Sequence, residues 1–215
     1  IMKKSFLLLF LSAAIVASAQ NKKQPVVYKK AISLSPLALA DMDHTLMLTG
    51  EYRLHNKLAL LVDAGYIFAS EYFSQERKTW GYNIRPAIRM YYGKRNKGYL
   101  QAQAFHKSVT YTLHDWLGQN CVNGVPTYEK LQEFDFRKNV TGFHLTAGAV
   151  LPLTQSHKWL IDLYGGIGFR SKKHHLVNQP DACYNLVGTA LFNFQMDDVT
   201  TASLPLGVRI TYVLE

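Results

Sequence analysis

Apolar and polar residues alternate along eight stretches of this chain, and the segments between them are by turns short and long. The stretch 141–151 is the clearest. Phe143, Leu145, Ala147, Ala149 and Leu151 are apolar, while Gly142, His144, Thr146 and Gly148 fall between them. A strand turns successive side chains to opposite faces, so a segment of this kind has one greasy and one polar surface.

The remaining seven follow the same rule. The first, 30–40, contains Pro36, which suits a bulge near a rim. The second, 44–53, puts Leu46, Leu48, Gly50 and Tyr52 on one face and Met47, Thr49, Glu51 and Arg53 on the other. In the third, 57–68, the apolar face runs from Leu58 to Phe68 through Tyr66, opposite Asp63 and Gly65. Partners across a hairpin share a face, so parity predicts Arg53 opposite Lys57 with a three-residue loop, 54–56. The fourth, 80–92, sets Tyr82, Ile84, Pro86, Ile88, Met90 and Tyr92 against Asn83, Arg85 and Arg89. The fifth, 98–113, begins with Leu100, Ala102 and Ala104, then changes phase to Val109, Tyr111 and Leu113, which predicts a bulge near Lys107. The seventh, 159–170, opposes Trp159, Ile161, Leu163, Ile167 and Phe169 to Asp162, Tyr164 and Arg170; the eighth, 203–214, opposes its leucines and Tyr212 to Arg209 and Thr211.

The N-terminus changes what these strands mean. Met2, Lys3 and Lys4 precede an apolar run over 6–17 and an Ala17-Ser18-Ala19 cleavage pattern, the layout of a secretory signal. Residues 1–19 are thus read as signal peptide, 20–29 as a short periplasmic lead and 30–215 as the folded domain. No later stretch approaches the ~20 consecutive apolar residues of a membrane helix. Mean hydropathy is near neutral, −0.08, and barrel strands dilute hydrophobicity by alternation. Eight alternating strands behind an export signal predict an all-β, antiparallel, up-and-down transmembrane β-barrel, with ten strands as the alternative. The expected location is the bacterial outer membrane with both termini periplasmic. The gaps 41–43, 69–79, 114–138 and 171–202 then face outside and 54–56, 93–97 and 153–158 inside, matching the long-outside, short-inside rule. Outward aromatics fall at both ends: Tyr52, Tyr92, Trp159 and Tyr212 at one, Tyr66, Phe68, Tyr82, Phe143 and Phe169 at the other. Two belts at the two headgroup levels fit a membrane barrel.

In this layout the chain resembles the small outer-membrane β-barrels of the OmpA/OmpX type from Gram-negative bacteria. The resemblance is one of architecture over nearly the whole mature chain. It implies lipid and lipopolysaccharide as surroundings and the barrel assembly machinery as a partner. Such barrels end on an aromatic residue read by that machinery; this chain ends Tyr212-Val213-Leu214-Glu215, where Tyr212 would serve.

Net charge is +9, falling to +7 when Lys3 and Lys4 leave with the signal. Export argues against nucleic acid as the counter-charge and favours anionic headgroups and lipopolysaccharide phosphates. Inside an eight-stranded barrel side chains fill the lumen. The expected lumen network is Glu51, Asp63 and Asp162 with Arg85, Arg89, Arg170 and Arg209. Asp63 is expected to meet Arg85 or Arg89, and Asp162 to meet Arg209. A structural plug is the favoured reading and an ion path the other. His106 and Ser108 lie two apart, as in lipid A deacylases, but no carboxylate can be assigned to orient the histidine; a lipid-modifying enzyme and a soluble lipocalin-like calyx stand as alternative functions.

Cys121 and Cys183, the two cysteines, fall in long outside gaps; a disulfide between them or a pair of free thiols are both open. His174 and His175 near Asp181 lack recognisable metal-ligand spacing, and no cofactor is expected. The non-enzymatic reading makes the long gaps 114–138 and 171–202 the surface for an extracellular partner.

Overall fold

The computed structural model describes residues 28–73, 76–93, 96–122, 124–154, 156–179, 181–184 and 199–214; the segment expected to be a signal peptide and most of the expected lead lie outside them. Its strands are β1 (Lys30–Leu34), β2 (Asp43–His55), β3 (Leu58–Ser70), β4 (Glu76–Tyr92), β5 (Gly98–Gln119), β6 (Tyr128–Pro152), β7 (Trp159–Leu176), β8 (Val199–Ser203) and β9 (Leu206–Val213). Each pairs antiparallel with its sequence neighbour from β1 to β7, and β9 pairs with both β7 and β1. The sheet therefore closes on itself. β8 and β9 lie in one register against β7, Gly168 opposite Ser203 and Gly165 opposite Leu206, so they form a single wall strand interrupted at Leu204-Pro205. Proline has no N–H to give a ladder, and its carbonyl still accepts from Gly166 N at 2.9 Å. Eight wall strands result among the described residues; of the two further strands a ten-stranded barrel would need, 128–136 is the far half of β6, and 184–194 lies, beyond Tyr184, outside the described residues.

Parity holds through the ring. Leu46, Leu48, Leu60, Val62, Ile84, Ile88 and Met90 are exposed on the outer face, while Thr49, Glu51, Asp63, Asn83 and Arg89 are buried inside. Short turns, the start of β1 and the end of β9 gather at one end of the barrel, the turn end; the longer connections gather at the other, the loop end.

Several local expectations are corrected. The first strand stops at Leu34, because Pro36 opens a 3-10 turn over Pro36–Ala40 instead of sitting in a bulge. At the next hairpin His55 faces Leu58 and Arg53 faces Ala59, with a register shift between Arg53 and His55. The loop is two residues long, and Arg53 is buried over the Tyr28 and Tyr91 rings instead of standing beside Lys57. The β5–β6 hairpin has no bulge at Lys107: its register is unbroken from Gly98 opposite Ala149 to Gln119 opposite Tyr128. The connection expected over 114–138 is only 120–127, and β7 runs past 171 to Leu176.

What the phase change in β5 records is an inversion of the wall. Toward the turn end, Leu100, Ala102 and Ala104 face out and Gln101 and Gln103 face in; toward the loop end, Ser108 and Thr112 face out, Thr110 shares their parity but is covered by Arg137, and Val109, Tyr111 and Leu113 are buried inside. β6 repeats it. Phe143 and Leu145 face out beside inward His144 and Thr146, whereas beyond Thr141 the outer face is Asn139, Arg137 and Asp135 and the inner face holds Phe134 and Phe136. Phe73, Tyr72, Leu176 and Tyr184 pack on that inner aromatic cluster and cap the loop end.

Candidate functional site: the lumen and the loop end

Inward parity brings the charges of five strands together in the lumen. Arg89 on β4 donates through Nη1 to Glu51 Oε2 at 3.1 Å and through Nη2 to Asp162 Oδ2 at 2.9 Å. Its Nε donates to Gln101 Oε1 at 3.0 Å. Arg209 donates to Asp63 Oδ2 at 3.1 Å and to Asp162 Oδ2 at 3.3 Å. Phenols complete the shell: Tyr91 OH donates to Glu51 Oε1 and Tyr99 OH to Asp162 Oδ1, each at 2.5 Å. Gly148 makes room for Tyr99, since a Cβ there would collide with the phenol. Tyr28, at the end of the expected lead, is tucked into the lumen and donates to Glu51 at 3.0 Å. Arg89 and Arg209 are among the least exposed side chains of the protein. Buried charges are tolerable only when paired and hydrogen-bonded; every charge of this knot is paired, and Asp63 Oδ1 and Arg209 Nε are its atoms left without a hydrogen bond.

Asp162 and Arg209 thus lie together, cross-strand partners in the β7–β9 ladder. Asp63 does not pair as expected. Arg85 is opposite it in register, yet Arg209 and Gln103 take its Oδ2, and Arg85 turns to Asn83 Oδ1 at 3.2 Å. Arg170 also stands outside the knot, held by Thr201 Oγ1 at 3.4 Å.

A second knot nearer the loop end was hidden in a presumed turn. Asp43 Oδ2 lies 2.7 Å from both Lys107 Nζ and Lys138 Nζ, and its Oδ1 accepts from Tyr111 OH at 2.8 Å and Ser70 Oγ at 2.9 Å. Lys138 also sits over the Tyr72 ring at 3.6 Å. Burial pushes the Tyr72 phenol up to about 12, with Asp43 adding to the shift. The parity that placed Glu51 inside also places Asp43 inside, once β2 is extended to it.

Between the two knots and the wall is a cavity of about 350 Å³. Arg85, Arg170, Lys172 and His144 line it from inside.

The aromatic residues of both sets point outward. Tyr52, Tyr92, Trp159 and Tyr212 ring the turn end, with Trp159 and Tyr212 in contact at 4.9 Å between centroids. Tyr66, Phe68, Tyr82 and Phe169 are exposed further along the wall, and Phe143 lies half-buried 6.3 Å from Phe169.

His106 and Ser108 also face outward, beside Tyr82, whose hydroxyl is 3.5 Å from His106 Nε2. Among the described residues no carboxylate pairs with His106, so the third member that a nucleophile–base pair needs is missing from that face. Cys121 and Cys183 form a disulfide. It joins the β5–β6 tip to the segment after β7, where Cys183 exchanges backbone hydrogen bonds with Gly118. Tyr184 OH donates to Asp115 at 2.7 Å; burial, then that bond, raises the phenol pKa well above its ordinary value. His174 stacks on Phe136 at 5.7 Å, and among the described residues no group of three potential ligands could hold a metal.

Comparison with protein-family models, with curated proteins and with solved structures returns no match for this chain.

Proposed function

We propose that this protein is a non-enzymatic integral outer-membrane β-barrel that presents a disulfide-tied loop end to the outside, with both termini periplasmic. The observation that carries the reading is the outer face: a closed barrel whose exposed apolar residues form a band between two sets of outward aromatics, around a charged interior. Exposed apolar patches of this extent are not left in water, and apolar-out, polar-in alternation with aromatic girdles is what lipid selects. About 9–11 residues carry a tilted strand across a bilayer. β5 and β6, at 22 and 25 residues, therefore run well past it, and their inverted far halves suit water outside and an apolar filling within. The export signal and the resemblance to OmpA/OmpX-type barrels point the same way. The Arg89–Arg209 knot closes the bore, so the lumen is a plug and not a pore, and the loop end is the surface left for an extracellular partner.

The test is electrophoretic mobility of the protein from isolated membranes, with and without boiling. Faster migration of the unboiled protein, together with resistance to carbonate extraction, is expected. Recovery as a soluble protein with one mobility would replace this reading with a soluble calyx.

A further inference from the structure

The barrel wall has a gap. β1 pairs with β9 only from Ala31 opposite Val213 to Leu34 opposite Ile210. Above Leu34 the chain turns away into the 3-10 turn Pro36–Ala40, and among the described residues β9 has no further strand partner on that side. Among the described residues, β8 pairs with β7 alone and forms an open edge of the sheet. The internal cavity reaches this gap: its lining includes Leu37 and Ala38 on one side, and Leu204 and Leu206 on the other. Leu204 and Leu206 are the most exposed large apolar residues described, at 76% and 79%. They follow Ala202, the ladder partner of the outward aromatic Phe169.

Inside the gap the chemistry changes sign. Five cationic side chains and three carboxylates line the cavity. Asp43 is taken by Lys107 and Lys138, and Asp63 by Arg209. Among the described residues, Arg85 and Arg170 are held only by the neutral side chains of Asn83 and Thr201. Two further polar atoms on buried lining residues, Asp63 Oδ1 and His144 Nδ1, have no hydrogen-bond partner. They offer an acceptor and a ring nitrogen to hydroxyl groups. An open strand edge is tolerated at membrane depth only where it lines a polar cavity or is covered, and a guanidinium is the side chain best shaped for phosphate.

We infer that this gap is a lateral binding site for an anionic, hydroxylated membrane lipid. Its phosphate would sit between Arg85 and Arg170, its headgroup hydroxyls at Asp63 and His144, and an acyl chain would leave between Leu37 and Leu206 into the bilayer. The volume is at the low end of small-ligand sites, roughly 300–1,000 Å³, enough for a head and the start of a chain but not for a whole lipid. This inference rests on the membrane-barrel reading.

The experiment uses the full chain folded in a neutral maltoside detergent, with the mobility shift on boiling as a prior check; absence of the shift defeats the membrane-barrel reading itself. Native mass spectrometry then follows binding of dioleoyl phosphatidylglycerol and dioleoyl phosphatidylcholine. At least tenfold preference for phosphatidylglycerol is expected, reduced to less than threefold in R85Q/R170Q. Inorganic phosphate or glycerol phosphate at the same concentration should not displace the lipid. Equal binding of the two lipids, or an unchanged preference in the variant, overturns the site. Displacement by free phosphate overturns the lateral route, leaving a phosphate pocket only. Should the double variant fail the mobility check, R170Q alone and the competition arm decide the question.

Discussion

Arg89 donates to Asp162 across the bore at 2.9 Å, joining β4 to β7, two strands that share no ladder. With the second arm on Glu51, one guanidinium braces three positions around the ring, so the interior holds the barrel's cross-section as well as filling it. Replacing Arg89 by Met leaves Glu51 and Asp162 short of their shared cation. The expected loss is about 3–5 kcal/mol, the usual result of removing one partner from a buried pair. Urea unfolding followed by the mobility shift measures it. The triple variant R89M/E51Q/D162N, which removes the uncompensated charge, should recover part of that loss.

The outer band can be mapped by charge. Leu48→Arg places a cation at mid-strand on the outer face and should cost about 2–4 kcal/mol when the protein is folded into lipid. His114→Arg lies on the same outer face of the wall but in the far half of β5, and should cost no more than about 1 kcal/mol. Equal penalties at the two positions, measured in the same vesicles, would remove the basis for a lipid-facing band.

Phe136 lies in the aromatic filling of the loop end, edge-on to Phe73 at 6.0 Å and stacked on His174. Phe136→Ala should cost about 3–5 kcal/mol locally. Hydrogen exchange is the appropriate readout: faster exchange in 108–119 and 128–140 is expected, with 46–52 and 143–149 unchanged.

The disulfide closes a loop across a sequence separation of 62. Cross-links of native loops contribute about 2–4 kcal/mol. Cys121→Ser with Cys183→Ser should leave the mobility shift in place but make 120–127 accessible to limited proteolysis. Loss of the folded band in that variant would mean that the loop end is required for the barrel itself.

Much of this was readable from the chain. Alternation fixed the faces of β2, β3, β4 and β7, because there the outward parity is apolar and the charged residues Glu51, Asp63, Arg89 and Asp162 all fall on the other one. The same rule failed in β5, where Val109, Tyr111 and Leu113 are apolar yet inside. Polarity marks the face elsewhere in the wall, and here the marker reverses while the face does not. Asp43 was missed for a related reason: its parity with Glu51 was visible, but an Asp-Met-Asp run looks like a turn. Pairings inside the bore were the least legible. Asp63 stands opposite Arg85 in the ladder, yet Arg209 reaches it from the other side of the ring, and only closure of the sheet brings that side near.

The reversal in β5 and β6 has a consequence for position. Over a few residues, near His106 on one strand and Thr141 on its partner, a single hairpin passes from side chains made for oil outside to side chains made for water outside. If the apolar band is set in lipid as proposed, sliding it in either direction along the normal would put Leu145 in water or Asp135 in oil. On that reading the hairpin is a gauge cut into the chain, setting the depth at which the whole body floats.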